Sequence, residues 1–220
     1  LKRAGKEKSL PTMVLLFEPQ PIEYFNKIEA PARLMPLRQK MKAIKKAGID
    51  GVICLKFNHR LASLSPETFV ETLLHQQINA HYVLVGNDFR FGHKRRGDSA
   101  LLSKLASKFG FEIECCNLIE VNNKKVSSTR IRIALSQGNL SEAKAMLGRA
   151  YQISGKVIHG AKRGRLIGVP TANIRIKHLP LALRGVYSVE IEHSKGHSLG
   201  VANIGFRPTV DGNEPQLEVH

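Results

Sequence analysis

The strongest constraint on the fold is a change of pattern near residue 150. Before it, apolar runs such as DGVICLKF (50–57) alternate with helix-forming segments such as SALLSKLASKFG (99–110). This alternation is typical of a right-handed parallel α/β sheet. After Tyr151, short β-rich runs are separated by Gly, Pro and Asn, which favours a small antiparallel barrel. We therefore predict an α/β domain over residues 1–148 and a β domain over residues 149–220.

Charge and cysteine content narrow the classes of partner and compartment. The chain has 34 Lys and Arg against 18 Asp and Glu, a net charge of +16, which favours anionic partners. The sequence contains no RNP aromatic pattern, zinc-finger spacing or continuous basic helix, which argues against nucleic acid as a partner. No apolar run is long enough for a membrane span, and no secretory signal is recognisable. Three cysteines without a CxxC pair indicate reduced thiols, so we expect a cytoplasmic protein without a membrane partner.

A glycine-rich basic segment, GKVIHGAKRGRLIGVPTANI (155–174), is the first candidate site. Its glycines leave peptide N–H groups uncovered, and neighbouring cations supply charge for a polyphosphate. The residues predicted to bind phosphate or nucleotide are Gly160, Gly164, Arg165, Gly168, Pro170, Thr171 and Asn173. The Thr171 hydroxyl and the Asn173 amide are hard oxygen donors of the kind that Mg²⁺ accepts. A basic glycine-rich hairpin without a ligand is the alternative.

Two further candidate sites lie in the first domain. VSSTRIRIALSQG (126–138) is predicted to be a helix, with Ser128 and Thr129 at its N-terminus and Arg132 one turn later. Hydroxyls, free N–H groups and a guanidinium suit a phosphate, whereas a plain N-cap needs only one hydroxyl. Asp88 and Phe89 follow a predicted strand at its carboxyl end, the usual ligand edge of a parallel sheet, although a simple turn would look the same.

These motifs resemble a known family in order along the chain. GxVxxGxxxGRxxGxPTAN is similar to the signature of riboflavin kinases. Three later segments resemble the same family: LRGVYSV (183–189), VANIGFRPTV (201–210) and LEVH (217–220). The first 150 residues resemble the adenylyltransferase half of the bacterial bifunctional riboflavin kinase/FAD synthetases. That similarity is carried by FEPQP (17–21), LASLSPETFV (61–70), VGNDFRFG (85–92) and VSSTRIR (126–132).

The resemblance implies a Rossmann-like nucleotidyltransferase domain followed by a riboflavin-kinase β-barrel. It implies phosphorylation of riboflavin to FMN and adenylylation of FMN to FAD, with ATP as co-substrate and Mg²⁺ as cofactor. Thr171 and Asn173 match the positions that contact Mg²⁺ and ATP in the family. Glu218 matches the family's catalytic glutamate, the base for the ribityl hydroxyl. From the residues alone, a single strand carboxylate would be interpreted as a solvated surface group.

The chain also departs from the family pattern. The family's GxFDGxHxGH segment would precede Leu1, and its closing strand and C-terminal helices would follow His220, so we expect a chain truncated at both ends. Leu16 and Gln20 stand where the family commonly has Thr and His. Two alternatives remain open: a kinase with a regulatory first domain, and an RNA-binding basic module.

Overall fold

The computed structural model describes residues 1–158, 171–176, 180–209 and 212–220. The chain forms two compact units. The first unit comprises Leu1–Ala30 and Lys40–Glu120, and the second comprises Pro31–Gln39 and Val121–His220. Within the described ranges, no helix is both long and apolar enough to cross a membrane.

Parallel strand pairs form the framework of the first unit. The strands β1 (Met13–Glu18) and β2 (Gly51–Lys56) pair in parallel, as do β3 (Tyr82–Gly86) and β4 (Glu112–Cys116). The predicted parallel arrangement is confirmed, although no ladder joins the two pairs in the described part of the chain. Because the strands of each pair run in the same direction, their carboxyl ends lie at one edge.

Helices connect these strands and supply most of the first core. They are α1 (Lys2–Lys8), α2 (Pro21–Phe25), α3 (Leu37–Lys46), α4 (His59–Ala62), α5 (Pro66–Thr68) and α6 (Ser99–Phe109). Helix α5 continues as a π-helix over Phe69–Gln77, and a 3₁₀ turn at His93–Arg95 precedes α6. The ends of α6 follow from local chemistry. Asp98 accepts a hydrogen bond from the Leu101 N–H at 2.9 Å, and Gly110 ends the helix with a left-handed φ of 75°. The buried side chains include Phe69, Val70, Leu73, Leu102, Leu105 and Phe111.

The second unit packs two helices against an antiparallel sheet. After the short strands β5 (Glu120–Val121) and β6 (Lys124–Lys125) come α7 (Ser128–Ser136) and α8 (Leu140–Leu147). The sheet strands are β7 (Val157–Ile158), β8 (Ala172–Ile174), β9 (Gly185–His193), β10 (Gly196–Thr209) and β11 (Gly212–Val219), in the spatial order β7-β8-β11-β10-β9. Its core combines Ile131, Ala134, Leu135, Ala143 and Met146 of the helices with Ala202, Ile204 and Leu217 of the sheet.

The predicted antiparallel architecture is confirmed, and its strands do not close into a barrel within the described residues. There β7 and β9 are edge strands, each with one partner. An antiparallel sheet can bury one face and leave the other face open, and the described strands of this sheet bury one face under α7 and α8. The packing also groups residues 121–148 with the sheet. The predicted boundary between two domains at residues 148/149 stays a prediction.

Candidate functional site

Three polar residues form a row across the antiparallel sheet. Asn173 on β8 lies directly opposite Glu218 on β11, and Glu218 lies opposite Asn203 on β10. Residues directly opposite each other in an antiparallel ladder project to the same face, with Cβ atoms about 5 Å apart. Their chain neighbours Leu217 and Ile204 are buried in the core, so the polar row faces away from the helices.

The carboxylate of Glu218 is already engaged by a neighbouring side chain. The Gln216 Nε2 donates a hydrogen bond to the Glu218 Oε1 at 2.6 Å, in a partly buried setting. Gln216 lies two residues earlier on β11 and therefore shares the same face. We call Asn173, Asn203, Gln216 and Glu218 the polar face.

Of the two predicted metal ligands, Asn173 belongs to the polar face and Thr171 lies two residues before it. Thr171 directly precedes β8 and is exposed, whereas Asn173 within β8 is half-buried. A hydroxyl, an amide oxygen and a nearby carboxylate are hard oxygen donors, so the residues present fit Mg²⁺. In the described ranges, no cluster of three or more His, Cys, Asp or Glu side chains could hold a metal. Gly160, Gly164, Arg165, Gly168 and Pro170 lie outside the described residues.

The start of α7 resolves which hydroxyl caps the helix. The Ser127 Oγ accepts a hydrogen bond from the Arg130 N–H at 3.2 Å, so Ser127 is the N-cap. Ser128 and Thr129 follow in the first turn, where N–H groups and the helix dipole favour an anion. The N-cap interpretation therefore applies to Ser127, whereas the phosphate-binding prediction concerns Ser128 and Thr129.

Arg132 and Thr129 line a cavity of about 320 Å³ in the second unit. The Arg132 Nε donates to the Ala32 carbonyl at 2.6 Å. Partial burial lowers the pKa of the Arg132 guanidinium, which nevertheless stays charged. Among the described residues, no carboxylate forms an ion pair with it. The charge of Arg132 suits a ligand with an anionic group. The full lining of the cavity is Pro31, Ala32, Thr129, Arg132, Ile133, Ser136, Leu181 and Ala182.

Asp88 and Phe89 lie just beyond the carboxyl end of β3 in the first unit. The Phe89 N–H donates to the Gly86 carbonyl at 2.9 Å, which closes a turn. The Phe89 ring stacks on the buried Phe91, with centroids 5.4 Å apart and planes 14° from parallel. Asp88 is exposed at this edge. The segment thus forms a turn that the Phe89 ring anchors on Phe91. Asp88 lies in this turn, at the carboxyl end of β3.

Sequence reasoning missed an aromatic cluster at the carboxyl ends of β1 and β2. The rings of Phe17, Tyr24 and Phe25 each contact Phe57, with centroids 5.3 to 5.8 Å apart. Phe25 is 69% exposed. A signal was available, because Phe17 and Phe57 both end apolar strand runs and parallel strands bring such ends together. The Ala32 contact of Arg132 had no local signal, since 100 residues separate the two.

Comparison with known proteins gives matches over nearly the whole chain. The family model described as FAD synthetase matches residues 1–130, and the one described as riboflavin kinase matches residues 147–220. Two curated relatives named bifunctional riboflavin kinase/FMN adenylyltransferase, from Escherichia coli (strain K12) and Haemophilus influenzae, are each 43% identical over 221 residues. These alignments cover 100% of this chain and 71% and 72% of the relatives.

A solved structure is also similar. It is described as a macrolide-efflux protein from Streptococcus pneumoniae and is 29% identical, with a TM-score of 0.82. The match covers 100% of this chain and 71% of that protein. The similarity therefore extends from the sequence to the fold of the full 220-residue chain.

Proposed function

The chain belongs to the bifunctional riboflavin kinase/FMN adenylyltransferase family, and from that premise we propose how its own residues act in FAD biosynthesis. The enzyme phosphorylates riboflavin to FMN and adenylylates FMN to FAD, using ATP in both steps. The observation that carries the proposal is Glu218, which lies between Asn173 and Asn203 on the open face of the sheet. We assign the first domain to the Rossmann-like nucleotidyltransferases and the second to the riboflavin-kinase barrels, in a cytoplasmic protein.

In the kinase reaction, Glu218 acts as the general base. It accepts the proton of the ribityl 5′-hydroxyl while that oxygen attacks the γ-phosphorus of ATP, and the bond to the bridging oxygen breaks to release ADP. Thr171 and Asn173 would hold Mg²⁺, which neutralises phosphate charge when bound. The glycines and Arg165 of the segment before Thr171 are proposed to cover the phosphates. The protein thus positions the reactants and accepts one proton.

In the adenylyltransferase reaction, the start of α7 holds phosphate. An oxygen of the FMN phosphate attacks the α-phosphorus of ATP, and pyrophosphate leaves. The charged Arg132, the Thr129 hydroxyl and the N–H groups near Ser128 would stabilise the negative charge. The support is the cavity beside a half-buried guanidinium that has no carboxylate partner among the described residues.

The carboxyl edge of the parallel strands is proposed to contact nucleotide and flavin. Asp88 and Phe89 lie at this edge of β3, and the exposed aromatic cluster lies at the edge of β1 and β2. Planar aromatic ligands stack on exposed rings at a gain of about 1 kcal/mol per pair. The cluster around Phe57 therefore offers a surface for the isoalloxazine ring of FMN.

The test measures the two reactions separately in the same purified protein. We expect Glu218→Gln to lower FMN formation by about 10² to 10⁴ and to spare FAD formation from FMN. We expect Arg132→Met to lower FAD formation from FMN and to spare FMN formation. Glu190→Gln, which removes an exposed carboxylate from the same sheet face, is the matched control and should change neither reaction.

Each other outcome points to a stated alternative. Loss of both activities in Glu218→Gln would identify a structural glutamate, and full FMN formation would remove it from the reaction. Riboflavin phosphorylation without any pyrophosphate release from FMN and ATP would favour a kinase with a regulatory first domain. Salt-dependent RNA binding that ATP and FMN do not displace would favour the RNA-binding module.

A further inference from the structure

We propose that Gln216 is a positioning residue for riboflavin phosphorylation, and that its amide holds the carboxylate of Glu218 in the orientation that accepts the substrate proton. The direct observation is the hydrogen bond from the Gln216 Nε2 to the Glu218 Oε1, at 2.6 Å. The inference rests on the proposed role of Glu218 as the base.

The strand geometry explains why a long amide side chain is needed here. Gln216 and Glu218 lie two positions apart on β11, so their Cα atoms are about 6.6 Å apart along one face. Only side chains of about this length can meet across that gap. A glutamate side chain that ends in solvent loses up to about 2 kcal/mol of rotamer freedom when it is ordered for catalysis. The bond to Gln216 orders it before the substrate arrives.

The chemistry of the pair separates orientation from proton transfer. The Gln216 amide donates a proton into a hydrogen bond but carries no charge and does not act as a base. Its bond engages Oε1 of Glu218 and directs the second oxygen, Oε2, to the reaction. A lysine at position 216 would instead neutralise the carboxylate. A neutral donor of this length therefore orients the base while keeping its charge.

The surroundings of the pair leave room for the substrate hydroxyl. The residue opposite Gln216 on β10 is Gly205. A Cβ added at Gly205 would meet no atom of the described residues within 4 Å, so among those residues the space beside the pair is open on that side. On the flanks of Glu218, Asn173 and Asn203 occupy the opposing positions of both neighbouring strands. Gln216 thus restrains the Glu218 carboxylate along β11, and Asn173 and Asn203 border it on the two neighbouring strands.

The first test removes the donor while keeping the length of the side chain. We expect Gln216→Met to lower kcat for FMN formation about 10-fold, because a base that is misplaced by about 1 Å loses much of its rate. The KM values for riboflavin and ATP should stay within about two-fold, since Gln216 orients the base and does not bind either substrate. Gln216→Glu keeps the shape but replaces the donor by a second carboxylate, and should lower kcat further. Ser188→Ala, an exposed position on the same sheet face, is the control and should leave kcat unchanged.

The second test is a double-mutant cycle in the full chain. If Gln216 acts through Glu218, then Gln216→Met should lower kcat no further in a Glu218→Gln background. A fall in the double variant equal to the product of the two single effects would overturn the inference. FAD formation from FMN, measured in every variant, reports folding and should remain at the level of the unaltered protein.

The outcomes distinguish this inference from the function on which it rests. Slow FMN formation by Glu218→Gln together with a full rate in Gln216→Met would overturn the positioning role and leave the base in place. Full FMN formation by Glu218→Gln would overturn both. A rise in KM with unchanged kcat in Gln216→Met would show that the residue binds substrate, which also contradicts the inference.

Discussion

At the residue scale, two arginines of α7 illustrate how surroundings separate structural from binding roles. The Arg130 Nη2 pairs with the Glu142 Oε1 at 2.9 Å, and the Arg130 Nη1 donates to the carbonyls of Val121 and Lys124. Arg132, one position beyond Ile131, instead lines the cavity and donates to the Ala32 carbonyl. The first guanidinium is held by the fold, whereas the second lines the cavity and is the one that we propose binds phosphate.

Substitution of these arginines should therefore affect different properties. We expect Arg130→Met to lower the free energy of unfolding by about 1 to 3 kcal/mol, because Glu142 and the carbonyls of this contact lose their donor. Arg132→Met should leave the unfolding midpoint closer to that of the unaltered protein and raise the KM for ATP in FAD formation. Urea denaturation measures the stability effect, and steady-state kinetics measures the KM for ATP. A large loss of stability in Arg132→Met together with a raised KM in Arg130→Met would contradict the two roles.

Thr171 provides a second prediction at this scale. We expect Thr171→Val, which keeps the shape and removes the oxygen donor, to weaken Mg²⁺-dependent ATP binding by roughly 1 to 3 kcal/mol. Thr171→Ser retains the hydroxyl and is the matched control. Calorimetric titration with Mg²⁺ and ATP measures the affinity. Equal affinity and equal FMN formation in the Val and Ser variants would remove Thr171 from the metal site.

At the element scale, one carboxylate joins the starts of β1 and β2. The Asp50 Oδ2 accepts hydrogen bonds from the Thr12 N–H and from the Thr12 hydroxyl, each at 2.7 Å. The bond from the backbone N–H is the largest cause of a lowered pKa of the Asp50 carboxyl, followed by the hydroxyl bond. Thr12 is only 5% exposed, so this contact fixes the beginning of the parallel pair.

This contact predicts a pH-dependent contribution to stability. Because the folded state lowers the pKa of Asp50, its contribution is present above the unfolded value of about 3.9 and is lost as the pH falls through the folded value. Asp50→Asn should therefore lower Tm near pH 7 and approach the unaltered protein near pH 3. Glu7→Gln, which alters an exposed pair on α1, is the control and should change Tm little at either pH. A constant difference in Tm from pH 3 to 7 would contradict the prediction.

At the scale of the whole molecule, each compact unit has its own buried cluster. Leu102 is 1% exposed in the first cluster, and Leu135 is 0% exposed in the second. Leu102→Ala and Leu135→Ala should each cost about 2 to 5 kcal/mol of stability through lost burial and a cavity. Hydrogen exchange followed by segment should show the loss of protection first in the unit that carries the substitution. Equal loss in both units from either variant would show that they unfold as one cooperative body.

Much of the architecture was predictable because it depends on short-range patterns. The segment SALLSKLASKFG indicated a helix that stops at Gly110, and α6 ends at Phe109 with Gly110 as its left-handed cap. The change near residue 150 separated parallel from antiparallel pairing, and the motifs identified the family that the comparisons confirm. Periodicity, caps and motif residues lie within a few positions of one another, so a sequence contains them directly.

Other features depend on contacts between distant parts of the chain. Asn173 and Glu218 lie opposite each other only because β8 pairs with β11 in one register, and a shift by one residue would turn Glu218 toward the core. The bond between Arg132 and Ala32, and the grouping of α7 and α8 with the sheet, likewise join segments far apart in sequence. The residues and local elements were therefore determined by the sequence pattern itself. Their alignment into a polar face and a cavity was decided by tertiary packing, because strand register and helix docking minimise the free energy of the whole fold rather than of any local segment.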